Sequence, residues 1–222
     1  MDWTPFAISL KTSLCATAIA FFLGLAAARW VVSLEGRLRA VADGVFTLPM
    51  VLPPTVLGFF LLLLFGRYGF LGKFLSTFGI RVIFSWGATV IAATVVAFPL
   101  VYRTTRASFE QLDPSITHAA RTLGLSEWTI FWRVTLPAAW PGAAGGTVLA
   151  FARALGEFGA TLMIAGNIPG RTQTVPVAIF FAAEGGRMDE ALAWVLIIVA
   201  VSTTVTVAVN LLPGGTRSGV PK

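Results

Sequence analysis

The sequence predicts an all-α integral membrane protein with about five transmembrane helices. Hydrophobic residues make up 56% of the chain and charged residues only 12%, whereas roughly a quarter of an ordinary soluble domain is charged. Long apolar stretches alternate with short charged segments, and about 20 helical residues are enough to cross a hydrocarbon core of ~30 Å. The stretches and their connections use the whole chain, so we predict one membrane domain, residues 1–222.

Charged side chains mark the ends of most of the predicted spans. The first contains Lys11, whose long side chain can reach the membrane interface, and the second and third follow Asp43 and Arg81. The fourth carries Arg153 and Glu157 within it. We therefore place the spans at about residues 6–33, 44–66, 82–102, 141–166 and 191–212.

Three prolines, Pro49, Pro53 and Pro54, lie inside the second predicted span. Each removes a backbone donor and bends a helix. Broken backbone at membrane depth is tolerated only against protein or a water-filled cavity. We therefore expect this span to border a path through the protein.

A polar segment, residues 103–137, separates the third and fourth spans and predicts two short helices. Asp113 is a suitable N-cap, and Pro114 fits the first helical position because its missing N–H would be unpaired there. Gly124 can take the left-handed conformation that ends a helix, and Ser126 can cap the next one. A membrane protein with such a loop has a surface on which a partner can dock.

The same segment contains a spaced motif. His118-Ala-Ala-Arg-Thr-Leu-Gly124 is followed, after nine residues, by Val134-Thr-Leu-Pro137. This pattern resembles the cytoplasmic EAA loop of the permeases of ATP-binding-cassette (ABC) importers, and it implies a type I ABC importer permease fold. The resemblance further implies that the loop couples to an ATP-hydrolysing subunit through His118, Ala119, Ala120, Gly124, Leu136 and Pro137.

Flanking segments narrow the resemblance. The stretches 48–58 and 69–72, together with 151–161 and 166–176, are similar to the molybdate or tungstate permease subunit. This implies a homodimer in a prokaryotic inner membrane, two ATPase subunits that bind ATP and magnesium, and an extracytoplasmic oxyanion-binding protein. No cofactor is expected on the chain itself. Alternatives are a permease for sulfate or another oxyanion, and a transporter driven by an ion gradient.

One position departs from the family pattern. His118, the single histidine of the chain, stands where the family most often has glutamate. A carboxylate only accepts hydrogen bonds when ionised, whereas an imidazole also donates them. The docking geometry can survive this change, but an ion pair made by the usual glutamate cannot.

Arg153 and Glu157 are four positions apart, so a continuous helix would present them on one face. A single charge at mid-membrane costs roughly 3 kcal/mol or more, and we therefore expect the two side chains to pair. Two roles remain open. Arg153 can line a path for an oxyanion, or the pair can lock the fourth helix against a neighbour.

The polar segment 166–176 predicts a turn on the outer side of the membrane. Its polar side chains are candidate contacts for an external delivery protein, and an ordinary exposed loop explains them equally well. The candidates are Asn167, Arg171, Thr172, Gln173 and Thr174.

The sequence argues against several other classes of function. One histidine and Cys15 cannot supply a metal cluster or a cysteine–histidine nucleophile, and no phosphate-binding loop is present. The net charge of +6 lies in loops between spans and does not indicate nucleic-acid binding.

The orientation in the membrane is predicted from the loop resemblance, because the distribution of basic residues favours a cytoplasmic C-terminus only slightly. The N-terminus is then expected outside.

Overall fold

The computed structural model describes residues 2–211, and its regular elements are helices. One of them is a π-helical turn, Phe131–Thr135, which joins the helix that ends at Ile130 to the helix that begins at Leu136. In chain order the helices are α1 (Thr4–Val32), α2 (Gly36–Val51), α3 (Pro54–Phe65), α4 (Phe70–Thr77), α5 (Trp86–Glu110), α6 (Pro114–Thr122), α7 (Glu127–Ile130), α8 (Leu136–Leu155), α9 (Gly159–Ala165), α10 (Val175–Glu184) and α11 (Met188–Leu211).

Three of these helices, α1, α5 and α11, are long and apolar enough to cross a membrane by themselves. Two bent pairs of helices bring the possible number of spans in the described residues to five. One pair is α2 with α3. The other is α9 with the continuous helix Glu127–Leu155, which contains α7, the π-helical turn and α8 and is called the α7–α8 rod below. The predicted all-α membrane class is confirmed. Residue 212, the last of the predicted fifth span, lies outside the described residues.

The second predicted span is two helices at 112° to each other. The first of them, α2, begins at Gly36, ahead of the predicted start at residue 44. The second, α3, has 12 residues and a length of about 18 Å, which is too short to cross the membrane alone. The break falls at Leu52 and Pro53 because neither Pro53 nor Pro54 can donate the hydrogen bonds that would continue α2.

The fourth predicted span is interrupted as well. Its helix runs from Glu127 through the π-helical turn to Leu155, and after a break at residues 156–158 it continues as α9 at an angle of 57°. On the other side of the polar segment, α5 continues to Glu110. The connection between spans is therefore shorter than the predicted segment 103–137.

Small side chains let α1, α5 and α8 pack closely at the centre of the molecule. Alanines from all three helices share a fully buried cluster. A Cβ atom on Gly146 of α8 would lie 1.8 Å from Thr104 Oγ1 of α5, and one on Gly24 of α1 would lie 2.9 Å from Val101 Cβ. Without these glycines the three helices could not cross at their present distance.

In contrast, α11 lies at the edge of the bundle, where only 11% of its apolar segment Met188–Val205 is buried. Its buried Trp194 packs with Val175 and Ala178 of α10, and Phe6 of α1 packs against the same cluster. Over residues 188–205, the remaining apolar surface of α11 can face lipid or another subunit.

A polar network joins α2 to the end of α5 that leads into α6. The hydroxyl of buried Tyr102 donates to Asp43 Oδ1 at 2.9 Å, and Arg106 pairs with the same carboxylate. Arg106 Nε also lies 2.7 Å from Glu110 Oε1, and Arg39 of α2 pairs with Glu110. Arg106 and Glu110 are four positions apart on α5, whereas the pairings with Asp43 and Arg39 join residues far apart in the chain, and these were not predicted.

Candidate coupling loop and translocation site

The helix α6 begins and ends as its sequence predicts. Asp113 Oδ1 accepts a hydrogen bond of 2.8 Å from the backbone N–H of Ser115, which holds the pKa of the Asp113 carboxyl below its usual value. At the other end Gly124 has φ of +75°, and the next backbone N–H, that of Leu125, donates to the carbonyl of Ala120 at 3.3 Å. Such a left-handed residue closes a helix and turns the chain.

The helix is also tied to the rest of the loop. Arg121 makes two hydrogen bonds to the carboxylate of Glu127, of 2.6 and 3.2 Å, and these raise the pKa of Arg121. Phe131, which follows α7, is buried against Phe109 of α5, and the guanidinium of Arg29 lies 4.1 Å from the Phe131 ring centre. These contacts connect α6 to α7, and the residue that follows α7 to α5 and α1.

The predicted coupling residues do not share one surface. The side chains of Ala120 and Leu136 are buried inside the chain, with 7% and 8% of their surface exposed. Exposed positions are His118, Ala119, Gly124 and Pro137. Two large apolar residues are also exposed here, Ile116 on α6 at 47% and Leu123 directly after α6 at 79%.

Arg153 and Glu157 come together, but not on one helix. Glu157 lies in the break after α8, with a side chain only 1% exposed, and its Oε2 is 2.7 Å from Arg153 Nη1. Its other oxygen accepts a 2.8 Å hydrogen bond from the backbone N–H of Ala160 in the first turn of α9. The buried carboxylate therefore holds the break between α8 and α9 as well as the arginine, which is 35% exposed.

The two helix breaks lie against each other. A Cβ atom on Gly159, the first residue of α9, would be 3.1 Å from Pro54 Cβ and 3.3 Å from the backbone nitrogen of Thr55, at the start of α3. The break marked by Pro53 and Pro54 thus lies beside the break marked by Glu157. Interrupted helices that meet inside a bundle are typical of transporter sites.

Two further residues were therefore missed by the site prediction. Neither Gly159 nor Thr55 is among the predicted site residues. The glycine was a signal of close approach, but its partner could not be named from the sequence. Pro49 lies inside α2, one turn before the break, and lines an apolar groove between α1, α2 and α5.

The predicted outer turn contains both inward and outward side chains. Thr172 is fully buried, and its Oγ1 accepts a 3.1 Å hydrogen bond from the N–H of Ile168. Thr174 is also buried, at 4% exposure. Arg171 is exposed, while Asn167 and Gln173 are half-buried. Thr172 therefore stabilises the turn, whereas the buried Thr174 hydroxyl has no hydrogen-bond partner among the described residues. Of the five predicted contact residues, only Arg171 is exposed.

Comparison with known proteins shows the family. A family model described as "Binding-protein-dependent transport system inner membrane component" matches residues 20–213. The molybdenum transport system permease protein ModB of Escherichia coli (strain K12) is 45% identical over 81% of this chain and 79% of its own length. YvgM of Bacillus subtilis (strain 168) is 44% identical over 90% of this chain and 88% of its own.

Solved structures show the same fold. The chain resembles a bacterial ABC transporter involved in alginate import, with a TM-score of 0.72 and 17% identity over 95% of this chain and 79% of the other. For the inward-facing MetNI methionine ABC transporter the TM-score is 0.71 and the identity 16%, over 95% and 96% of the two chains. The permease fold implied by the loop motif is thus confirmed. The chain belongs to the family of inner-membrane components of binding-protein-dependent transport systems.

Proposed function

We propose that this chain is the membrane-spanning subunit of an ATP-driven importer of molybdate or tungstate. The proposal is supported mainly by the sequence identity of 44–45% to molybdenum-system permeases over most of the chain. The exposed, capped helix α6 supports it as well. Neither an ion-gradient transporter nor a sulfate permease is favoured by these relatives.

We place the coupling surface on α6, where an ATPase subunit docks against Ile116, His118, Ala119 and Leu123. The small Ala119 allows a partner to approach closely, and the two exposed apolar residues supply contact area on either side. When ATP closes the ATPase dimer, α6 moves with it, and the Arg121–Glu127 pair passes the motion to the α7–α8 rod. The helix bundle then changes between inward- and outward-open states.

Two copies of the chain form the translocation path in this proposal. Of the described helices at most five candidate spans arise in one copy, and α11 leaves most of its surface uncovered. A second copy supplies the other wall of the path. Two ATPase subunits bind ATP and magnesium on the cytoplasmic side, the N-terminus lies outside, and the binding protein docks near Arg171.

The oxyanion passes close to the paired helix breaks. Arg153 is the accessible charged group there, since more than a third of its side chain is exposed, whereas the side chain of Glu157 is buried. A guanidinium binds tetrahedral oxyanions through charge-assisted hydrogen bonds. The neighbouring carboxylate limits the strength of that binding, so the anion can be released.

Docking on α6 is tested with two variants at one position. Ala119→Asp places a charge on the exposed contact surface and should abolish co-purification of the ATPase from membranes, while Ala119→Ser should retain it. Ala120→Asp is the structural comparison, because a carboxylate at that buried position should destabilise α6 itself. Thermal unfolding of each purified protein separates the two effects. Undiminished ATPase capture by a folded Ala119→Asp protein would contradict docking on α6.

A further inference from the structure

The connection between α3 and α5 forms a cavity far from the coupling loop. It lies at the end of α5 opposite to α6, and α5 has 25 residues, about 37 Å of helix. The cavity has a volume of about 540 Å³. Its lining includes Arg67, Gly72, Leu75, Ser76, Arg81 and Phe84.

Backbone contacts fix both walls of this cavity. On one side α4 folds tightly onto the end of α3, where a Cβ atom on Gly72 would lie 1.9 Å from the carbonyl oxygen of Gly66. On the other side the backbone N–H of Phe84 donates to the carbonyl of Ile164 in α9 at 3.0 Å, with Phe84 in the left-handed region at φ of +59°. Such a conformation is rare for a bulky residue. Both walls of the cavity are thus attached to transmembrane segments of the bundle, one to α3 and the other to α9.

Two arginines line the cavity without a carboxylate to pair with. The sequence contains no acidic residue between Asp43 and Glu110. Within residues 2–211, which include all ten acidic residues, the ion pairs involve neither Arg67 nor Arg81. Two unpaired guanidinium groups at one cavity repel each other and attract an anion, and their planar donors suit phosphate oxygens.

The opposite face of α4 is apolar and uncovered. Phe70, Phe74 and Phe78 follow one another at every fourth position and are 79%, 57% and 66% exposed. The cavity face of the same helix carries Gly72, Leu75 and Ser76. A short helix with one apolar face and basic neighbours, at the end of a membrane helix, lies along the interface between headgroups and acyl chains.

The size of the cavity and the neighbouring phenylalanines favour a phospholipid headgroup over a small inorganic anion. A cavity of this size is in the range of sites for drug-sized molecules, on the order of 300–1,000 Å³, and exceeds what a four-oxygen inorganic anion needs. The adjacent phenylalanine row fits acyl chains. We propose that Arg67 and Arg81 bind the headgroup phosphate of a phospholipid in the leaflet opposite to the coupling loop, and that this lipid packs against α4.

The test compares charge removal inside and outside the cavity. The full-length protein is purified in mild detergent, and native mass spectrometry counts the phospholipids that remain bound. Arg67→Gln combined with Arg81→Gln should reduce the affinity for added short-chain phosphatidylglycerol by about tenfold or more, because both phosphate-binding guanidinium groups are lost. Lys73→Gln removes the same kind of charge from α4 but does not line the cavity, and it should bind lipid like the wild type.

Two results would overturn the proposal. One is retention of lipid within twofold of wild type by the double variant, or by both single variants if the double variant does not assemble. The other is displacement of the lipid by inorganic phosphate or molybdate at equal concentration, which would make the cavity a site for free anions. Since the assay measures lipid binding and not uptake, its result is independent of the transported substrate.

Discussion

Glu157 is the residue on which the centre of the molecule depends most. One carboxylate oxygen contacts Arg153 and the other accepts the backbone N–H of Ala160. The side chain is 1% exposed, whereas that of Arg153 is 35% exposed. Loss of one member of a buried pair leaves the other uncompensated, and this cost is larger for the group that is enclosed.

We therefore predict unequal effects of two variants. Arg153→Met leaves a buried carboxylate without its cation and should destabilise the protein by roughly 3 kcal/mol or more. Glu157→Gln keeps an acceptor for Ala160 and leaves an arginine that can reach solvent, so its cost should be clearly smaller. Thermal unfolding of the purified proteins measures both.

The double variant separates a structural role from a transport role. If the pair only locks the helices, Arg153→Met with Glu157→Gln should recover most of the lost stability and of the transport activity. If Arg153 binds the anion, stability should recover and uptake should not. Equal destabilisation by the two single variants would contradict the unequal burial on which the prediction depends.

Among the helices, close crossings depend on glycine at particular positions. A Cβ atom on Gly58 of α3 would lie 2.6 Å from Met163 Cβ and 2.8 Å from Ala160 Cα of α9. One of these two atoms belongs to the backbone, so the helices would have to separate. The contact between the two broken spans is therefore sensitive to a single methyl group.

Gly58→Ala should lower stability by about 1–3 kcal/mol, the usual cost of overpacking, and should impair uptake because the two helix breaks move apart. The matched control is Gly145→Ala in α8, where a Cβ atom meets nothing within 4 Å. In a helix, alanine is favoured over glycine by about 0.5–1 kcal/mol, so this variant should be neutral or slightly more stable. A Gly58→Ala protein as stable as Gly145→Ala would refute the close crossing.

Local sequence signals predicted some elements well. Uninterrupted apolar runs gave α1 and α5, and Asp113, Pro114 and Gly124 marked both ends of α6 because capping is local chemistry. The prolines indicated where the second span breaks. The angle of 112° and the second break at Glu157 depend on packing between α3 and α9, which a single sequence does not display.

The individual site residues were harder to predict. The motif named Ala119 and Ala120 together, but which of them faces outward depends on how α6 sits on the bundle. The pairing of Asp43 with Arg106 joins residues far apart in the chain and had no sequence signal. The roles of the coupling, path and outer-turn residues stay predictions.

At the scale of the whole molecule, a series of side-chain and helix contacts joins the predicted coupling loop to the centre. The α7–α8 rod leads from α6 to the break at Glu157, where α9 meets α3. The network around Asp43, Tyr102 and Arg106 ties α2 to α5 beside the loop. A continuous series of contacts therefore connects α6 to both helix breaks.

Uptake by reconstituted vesicles tests the central claim most directly. The chain is reconstituted with its ATPase and binding protein, and accumulation of labelled molybdate is followed with ATP, without ATP, and with excess tungstate or sulfate. We predict accumulation that requires ATP, is competed by tungstate more than by sulfate, and is lost in Ala119→Asp. Molybdate accumulation that an ion gradient drives without ATP, or ATP-driven uptake of sulfate alone, would contradict the proposed function.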